Sequence, residues 1–204
     1  AKAFTLVELM VGLMVTSVIL SALATLAFAL SSASTAGGDC AYSQAQIRRA
    51  SVYVSDLIAR CRLICAAPDH DLAIWRSDDN GDGRMNLNEL VYFERGADHQ
   101  FLRLCGFDSP ANPQIALADL ASSTTKAQFV SNYGGCYTPL IPECNDVQFV
   151  FLDAAPPQTG SLAIRLAFEE EATTRQVEIV ATVRCRAGHL LNATGDALLT
   201  TDDD

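Results

Sequence analysis

The first part of the chain lacks charge and proline. No residue between Glu8 and Asp39 carries a formal charge, and no proline occurs before Pro68. Because it has neither charge nor a helix breaker, this stretch differs from an ordinary amphipathic core helix. Residues 9–30 alone would form a helix roughly 33 Å long, which is enough to cross a bilayer. The sequence therefore predicts a helix that spans a membrane or fills an equally apolar environment.

Basic residues and histidines are also scarce. The chain has 14 Lys and Arg against 24 Asp and Glu, a net charge of −10, and three histidines. Nucleic acid binding needs clustered basic side chains, so the composition argues against it. No histidine belongs to a recognisable nucleophile or zinc motif, and no glycine-rich phosphate loop occurs, so we expect no enzyme. The arginines that do gather indicate a solvated helix face or a contact with acidic neighbours in an assembly. They are Arg48, Arg49, Arg60 and Arg62.

A single carboxylate, Glu8, lies at the start of the apolar stretch. A charge is costly in a bilayer, so we expect this one to have a function. If such helices bundle in a water-poor filament core, the carboxylate needs a cation, which the N-terminal amine of a neighbouring chain can supply. Small residues would let the helices approach closely. They are Gly12, Ser17, Ser21, Ala22, Ala24 and Ala27.

Two simpler interpretations of the apolar stretch stay open. A cleaved secretory signal would have a basic start, a shorter apolar run and a small-residue cleavage site after that run. Residues 31–38 are small and polar, which is compatible with such a site. A plain transmembrane anchor would explain the apolar run without any partner for Glu8.

Residues 2–10, Lys-Ala-Phe-Thr-Leu-Val-Glu-Leu-Met, resemble the processing site of type IV prepilins and type II secretion pseudopilins. The resemblance implies that a prepilin peptidase cleaves between Ala3 and Phe4, methylates the new amine and leaves the apolar helix attached. Glu8 then corresponds to the family glutamate, the fifth residue of a chain that begins at Phe4. Ala3 stands where the family usually has glycine. The mature terminus is Phe4 if a leader remnant is present, and otherwise Ala1.

The resemblance also implies a fold and a function. The expected fold is α+β and pilin-like, with a long hydrophobic helix that continues into an amphipathic helix packed on an antiparallel β-sheet head. The expected function is that of a structural subunit in a type IV pilus-like or type II secretion pseudopilus filament, with assembly contacts at Phe4, Glu8 and Gly12. Its partners would be other pilin or pseudopilin subunits, in a homo- or hetero-oligomeric filament, and the prepilin peptidase.

The same resemblance predicts where the chain lies in the cell. Before assembly it would sit in the inner membrane with an extracytoplasmic head, and after assembly in a periplasmic or extracellular filament at the cell surface. The alternative function, from another class, is a membrane-anchored extracytoplasmic binding protein whose acidic head captures a ligand.

The sequence predicts three regions. Residues 1–38 form the hydrophobic transmembrane or filament-core helix, residues 39–67 its amphipathic half, and residues 68–204 a β-rich head. The amphipathic half is predicted as a helix because apolar residues return at three- and four-residue intervals until Pro68. These are Ile47, Val54, Leu57, Ile58, Cys61, Ile64 and Cys65. The Gly37-Gly38 pair predicts a kink or a short break before it.

Alternating apolar residues near the end of the head predict three half-buried antiparallel strands, a meander packed on the helix. They cover residues 147–151, 162–168 and 177–185. Further strand-like segments occupy residues 72–75, 90–93 and 101–105. Residues 108–145 hold four of the seven prolines, and they predict a long surface excursion rather than core.

Residues 78–89 read Asp-Asp-Asn-Gly-Asp-Gly-Arg-Met-Asn-Leu-Asn-Glu. Oxygen-bearing side chains at loop positions 1, 3, 5, 9 and 12, with glycine at 6 and an apolar residue at 8, match the whole EF-hand calcium loop pattern. A large hard cation needs six or more oxygens, and this spacing wraps them around one point. The predicted Ca²⁺ ligands are Asp78, Asn80, Asp82, the Arg84 carbonyl, Asn86 directly or through water, and Glu89 with both oxygens.

A polar hairpin turn is the alternative for this loop, because Asn-Gly and Asp-Gly are ordinary turn pairs. The segments on either side look like strands, so we expect calcium to stiffen the head rather than to act as a switch. An insertion of this kind resembles the calcium-loop variants of minor pseudopilins. That resemblance favours a low-copy subunit, and a subunit of the filament shaft stays open.

Seven cysteines fit an exported head in which oxidation is allowed. They are Cys40, Cys61, Cys65, Cys105, Cys136, Cys144 and Cys185. The first expected disulfide joins Cys136 and Cys144 within the proline-rich excursion. Cys61 and Cys65 share one helical face, so each is expected to pair with a later cysteine on a strand or loop. Those later cysteines are Cys105 and Cys185, which leaves Cys40 unpaired.

Overall fold

The structure is a computed structural model. It describes residues 5–68, 71–96, 98–170, 173–184, 190–192, 194–195 and 197–199, and only the backbone of residues 33–41, 43, 123, 170 and 173. The chain divides into two compact units, Ala1–Ala45 and Gln46–Asp204. The fold is α+β, with an N-terminal apolar helix followed by antiparallel sheets.

Two α-helices, two 3-10 helices and eight strands make up the described chain. The helices are α1 (Leu6–Arg60) and α2 (Ser123–Tyr133), with 3-10 turns at Leu87–Glu89 and Leu117–Ala121. The strands are β1 (Leu63–Ala66), β2 (Asp71–Trp75), β3 (Leu90–Glu94), β4 (Leu102–Gly106), β5 (Cys136–Ile141), β6 (Asp146–Phe151), β7 (Ser161–Glu170) and β8 (Thr173–Thr182).

The apolar part of α1, Leu6–Ser32, is long and apolar enough to cross a membrane, and its side chains are exposed throughout. Its Ser and Thr hydroxyl groups donate hydrogen bonds to backbone carbonyl oxygens of the same helix. Thr16 Oγ1 donates to the carbonyl oxygens of Gly12 at 3.0 Å and Leu13 at 2.9 Å, and Ser17 and other hydroxyls bond back in the same way. A helix with internally satisfied polar groups suits surroundings that contain no water.

The helix ends earlier than the sequence pattern predicts. α1 runs without interruption across Gly37 and Gly38, where a kink or a short break was predicted, and it stops at Arg60 rather than shortly before Pro68. Leu63–Ala66 instead forms β1, which pairs with β2 and buries Leu63 and Ile64. A short apolar run has no periodicity that separates a buried strand from a buried helix turn, which explains the error.

Five strands form one antiparallel sheet in the order β1-β2-β3-β4-β5. Both faces are covered, so β2 is buried at every position. Leu72 and Ile74 face a core shared with Val54 and Ile58 of α1, whereas Trp75 faces a second core on the other side. Strands buried on both faces show no polar alternation, which is why the sequence marks them less clearly than the C-terminal meander.

The three-stranded sheet has the order β6-β7-β8 and is fully antiparallel. Its strands overlap the three predicted segments, although β7 runs on to Glu170 and β8 covers Thr173–Thr182 rather than residues 177–185. Val147, Leu166 and Ile179 lie on its buried face and join the core that α1 contacts. The meander prediction is therefore confirmed.

The proline-rich segment is more structured than predicted. It contains α2 and β5, which completes the five-stranded sheet as its edge strand, and it buries Ile115, Leu117 and Leu120. Pro139 lies within β5, where an edge strand tolerates its missing N–H. The prediction that this segment is an excursion rather than core is therefore wrong for these parts.

A buried ion-pair cluster anchors α2 to the sheet. Lys126 Nζ on α2 lies 2.9 Å from Asp71 Oδ1 on β2 and 2.9 Å from Glu94 Oε2 on β3. Asp71 and Glu94 are directly opposite each other across the β2–β3 ladder. Arg103 on β4 also contacts Glu94, at 2.7 Å. The two carboxylates that face each other are thereby neutralised by Lys126 and Arg103.

Candidate functional site

The 78–89 loop connects β2 to β3, and the paired strands hold its ends together. Trp75 and Leu90 are partners in the ladder, and Arg76 N donates to Glu89 O at 2.8 Å just above them. Gly81 and Gly83 adopt positive φ angles of 72° and 68°, which the fold of the loop requires. A side chain at either position would be strained, so the glycines are needed for this path.

The carboxylate of Asp78 organises the first half of the loop. Its Oδ1 accepts hydrogen bonds from the N–H groups of Gly81 at 2.9 Å and Asp82 at 3.2 Å. Its Oδ2 accepts from Gly83 N at 3.0 Å. The side chain is 9% exposed, so the predicted first ligand points into the loop.

Four of the other predicted ligands converge. Asn80 Nδ2 lies 2.9 Å from Asp82 Oδ2, and Asn86 Nδ2 lies 3.2 Å from the same oxygen and 3.4 Å from the Arg84 carbonyl oxygen. A rotated amide would present its oxygen in place of its NH₂ group. The donor set of carboxylates, amides and a carbonyl is the kind that Ca²⁺ prefers.

Glu89, the predicted last ligand, is 2% exposed and closes the loop. Its Oε1 accepts from Asp79 N at 2.9 Å, and its Oε2 accepts from Asn86 N at 3.1 Å and Trp75 Nε1 at 3.2 Å. A carboxylate offers about four acceptor positions, so one remains for a cation. Coordination through both oxygens, as predicted, requires one of these three donors to move.

Carboxylate side chains alone do not make this site. In the part of the chain that the structure describes, no three His, Cys, Asp or Glu side chains form a group that could hold a metal. The convergent atoms belong instead to amides and a carbonyl around Asp82. The donors present fit a hard cation once the amides turn and one hydrogen-bond donor leaves each of Asp78 and Glu89.

Two of the loop carboxyl groups have lowered pKa values. A hydrogen bond from Arg84 N, at 2.8 Å, lowers the pKa of Asp82, and contacts from the Asn86 and Asn80 amides add to the shift. A hydrogen bond from the Ser77 hydroxyl lowers the pKa of Asp79, with a further contribution from Arg76. Both groups therefore carry negative charge at neutral pH.

Two partners of the loop were not predicted from the sequence. Arg62, predicted to lie on a solvated helix face or at an assembly contact, donates from Nη1 to Asp78 Oδ2 at 2.5 Å, and its guanidinium lies 4.8 Å from the centre of the Trp75 ring. The proline-rich segment lies along the second half of the loop, where Ile115 N donates to Met85 O at 2.8 Å. Both partners are far from the loop in sequence, so no local pattern marks them.

The predicted assembly residues lie at the start of α1. Glu8 Oε2 accepts from Thr5 N at 3.1 Å and Thr5 Oγ1 at 2.9 Å, and Glu8 N lies 3.3 Å from that hydroxyl, as in a capping box. At Gly12, an added Cβ would meet nothing within 4 Å. The predicted cleavage position, Ala3 and Phe4, lies outside the described residues.

The structure does not bring the first predicted disulfide pair, Cys136 and Cys144, together. Cys136 is opposite Gly106 at one end of β4, whereas the N–H of Cys144 bonds to the carbonyl oxygen of Gln100 just before the other end. The extended chain from Gln100 to Gly106 is roughly 20 Å long. A disulfide needs Cα atoms within about 7 Å. Both thiols are free, as are those of Cys65 and Cys105.

Cys65 and Cys105 do not pair with each other either. Cys65 lies on β1 and Cys105 on β4, with two strands between them. Burial raises the pKa of Cys65 and of Cys105, and it raises that of Cys144 to about 11, so these thiols stay protonated. Cys185 and the Cys40 side chain lie outside the described residues.

Comparisons of the chain with protein-family models, with curated proteins and with solved structures found no match.

Proposed function

We propose that this chain is a structural subunit of a type IV pilus-like or type II secretion pseudopilus filament, with no covalent chemistry of its own. The observation that carries the proposal is the Leu6–Ser32 part of α1, which is apolar, fully exposed and internally hydrogen-bonded, with one carboxylate at its start. An exposed apolar surface of this size needs a membrane or other chains to cover it. A bundle of such helices provides that cover.

In this proposal Glu8 sets the register between neighbours. Its carboxylate would take the N-terminal amine of an adjacent chain as its cation, while Gly12 leaves room for close helix contact. Thr5 already directs the carboxylate by two hydrogen bonds. The subunit would lie in the inner membrane, with its head outside the cytoplasm, before it enters the filament.

The second unit resembles the head expected of such a subunit. The residues of α1 that contact the core, Ala50, Val54 and Ile58, are each at most 2% exposed, and they pack against strands of both sheets. This arrangement supports a pilin-like fold, in which the second half of a long helix packs on an antiparallel sheet. In this proposal the second unit forms the head, and the apolar helix makes the contacts between subunits.

We also propose that the head binds one Ca²⁺ ion in the 78–89 loop. Asp78, Asn80, Asp82, the Arg84 carbonyl, Asn86 and Glu89 would hold it. The ion would offset the negative charge of Asp78, Asp82 and Glu89 and fix the exposed part of the loop, residues 79–84. Because the proline-rich segment bonds to residues 85–87, it would be held more firmly as well.

A second candidate is a membrane-anchored binding protein that works as a single copy. One observation favours it: Glu8 obtains both of its hydrogen-bond donors from Thr5 of its own chain. The carboxylate could then lie near the headgroups without a neighbour.

The two candidates differ in assembly. In cells that produce the protein with its natural partners, the filament proposal predicts that the chain pellets with helical fibres. Glu8→Ala should remove it from the fibres and leave it in the membrane fraction, whereas the matched head variant Glu143→Ala should assemble normally. Normal incorporation of Glu8→Ala would exclude the register role. Mass spectrometry of the fibre protein tests for an amino terminus at a methylated Phe4.

A further inference from the structure

We propose that Arg62 is a built-in competitor for the cation of the 78–89 loop. Its guanidinium pairs with Asp78 when no ion is bound, and it must leave when an ion binds. This inference rests on the proposed Ca²⁺ site and concerns how tightly that site binds.

The carboxylate of Asp78 already accepts four hydrogen bonds. Two loop N–H groups bond to Oδ1, and Gly83 N and Arg62 Nη1 bond to Oδ2. These four bonds use the roughly four acceptor positions of a carboxylate. A cation can therefore bind Asp78 only after one of the donors has left.

The four donors to Asp78 differ in how easily they can leave it. The N–H groups of Gly81, Asp82 and Gly83 belong to the loop backbone, which would have to unfold to release them. Arg62 is the one donor to Asp78, among the described residues, that comes from outside the loop. Its side chain is 34% exposed and carries the guanidinium on a flexible stem, so it can swing into water at the cost of its contact with the Trp75 ring. Arg62 is therefore the donor that gives way.

Arg62 also reduces the net negative charge of the predicted ligands. Three predicted ligands carry formal negative charge, namely Asp78, Asp82 and Glu89. Arg62, at 2.5 Å from Asp78, cancels one of the three while it stays in place. The affinity of calcium loops depends on the charge of their ligands. Arg62 consequently lowers the affinity of the loop for any cation.

The chain carries its own reporter for this exchange. Trp75 is the only tryptophan, it donates to Glu89 at 3.2 Å, and Arg62 lies over its ring. A luminescent lanthanide such as Tb³⁺ prefers the same oxygen ligands as Ca²⁺ and can be excited through a nearby indole. Tryptophan-sensitised Tb³⁺ emission, displaced by Ca²⁺, therefore measures binding without any assay of function.

The test compares Arg62→Gln with the natural chain, full length in detergent micelles. Glutamine keeps hydrogen-bonding groups but removes the charge. We expect the Kd for Ca²⁺ to fall on the order of tenfold. The matched control is Arg165→Gln, which removes one positive charge from an exposed pair with Glu178 on the other sheet, and it should change the Kd less than twofold. An unchanged or higher Kd for Arg62→Gln would overturn the inference.

Thermal unfolding separates competition from a merely structural role. In EDTA, Arg62→Gln should melt below the natural chain, because Asp78 has lost its counter-ion. In saturating Ca²⁺ the difference should shrink or reverse, since bound ion replaces the arginine. An equal loss of Tm in both conditions would show a structural role only and overturn the competition. If the natural chain shows no Ca²⁺ or Tb³⁺ binding at all, the proposed calcium site itself is refuted, and Arg62 has no cation to oppose.

Discussion

Lys126 Nζ lies 2.9 Å from Asp71 Oδ1, and the two side chains are 10% and 11% exposed. The pair links α2 to β2 across 55 positions of sequence. Because Glu94 shares the same ammonium group, Lys126 separates two carboxylates that would otherwise repel each other. Removal of one partner from a buried ion pair leaves an uncompensated charge, which is the costly case.

Lys126→Met should therefore lower the free energy of unfolding by about 3 kcal/mol, because it keeps the bulk of the side chain but removes the charge. Chemical denaturation of the full chain in micelles measures this. The control Arg165→Met removes half of an ion pair whose side chains are 52% and 45% exposed, and it should cost less than about 1 kcal/mol. Equal losses in the two variants would contradict a special role for the buried cluster.

Calcium should stabilise the head through particular carboxylates. Chelation should lower the melting temperature by several degrees, since an ion that binds only the folded state stabilises it. Asp82→Ala should remove most of this response, because it removes a ligand oxygen. Asp79→Ala offers a matched control, because Asp79 is also an exposed loop carboxylate but occupies loop position 2, which supplies no ligand. If both variants keep the full calcium response, or if the natural chain has none, the ligand assignment fails.

Gly83 should tolerate no side chain. Its φ of 68° is strained for any L residue, so Gly83→Ala should destabilise the protein by about 1 kcal/mol even without calcium. Gly106 also has open space around its Cα but no positive φ, so Gly106→Ala should be nearly neutral. Denaturation in EDTA compares the two, and a harmless Gly83→Ala would mean that the loop follows another path.

Asp153 should make the β6–β7 connection sensitive to acid. It accepts hydrogen bonds from Thr159 Oγ1 at 2.5 Å and Gly160 N at 2.9 Å, and the first of these is the main reason that its pKa falls to about 2. A carboxyl group with a lowered folded-state pKa stabilises the fold above its ordinary pKa near 4. That contribution is lost as the pH falls from about 4 towards 2.

Asp153→Asn should therefore flatten the dependence of stability on pH within this window. Because the side chain is exposed, solvent screening keeps the effect small. Urea midpoints measured between pH 2 and pH 5 provide the comparison, with Asp119→Asn as a variant of another exposed aspartate. A slope unchanged by Asp153→Asn would argue that these hydrogen bonds contribute nothing to stability.

The local sequence pattern predicted two parts of the fold. The apolar helix could be predicted because its residues are apolar on every side, and the C-terminal meander because apolar and polar residues alternate along its strands. β6 to β8 expose one face, so Val147 and Leu166 stand out against polar neighbours. β1 and β2 are buried on both faces, and Leu63 and Ile64 therefore looked like a continuation of the helix. A short apolar run carries too little information to decide between the two.

The partners of the loop could not be predicted for a different reason. Spacing alone predicted that Asn80, Asp82, the Arg84 carbonyl and Asn86 lie close together, because the pattern follows the turn of the backbone. Arg62 reaches Asp78 through the pairing of β1 with β2, which no local pattern encodes. The cysteine pairings likewise depended on a strand order that the sequence leaves open.

The surroundings of Glu8 in the assembled filament decide whether this chain is a filament subunit. Electron cryomicroscopy at side-chain resolution would show them. We expect the carboxylate to lie within about 4 Å of the N-terminal amine of a neighbouring subunit, inside a bundle of apolar helices. A carboxylate that faces lipid with no cation nearby, or a mature protein found only as a single free copy, would contradict it.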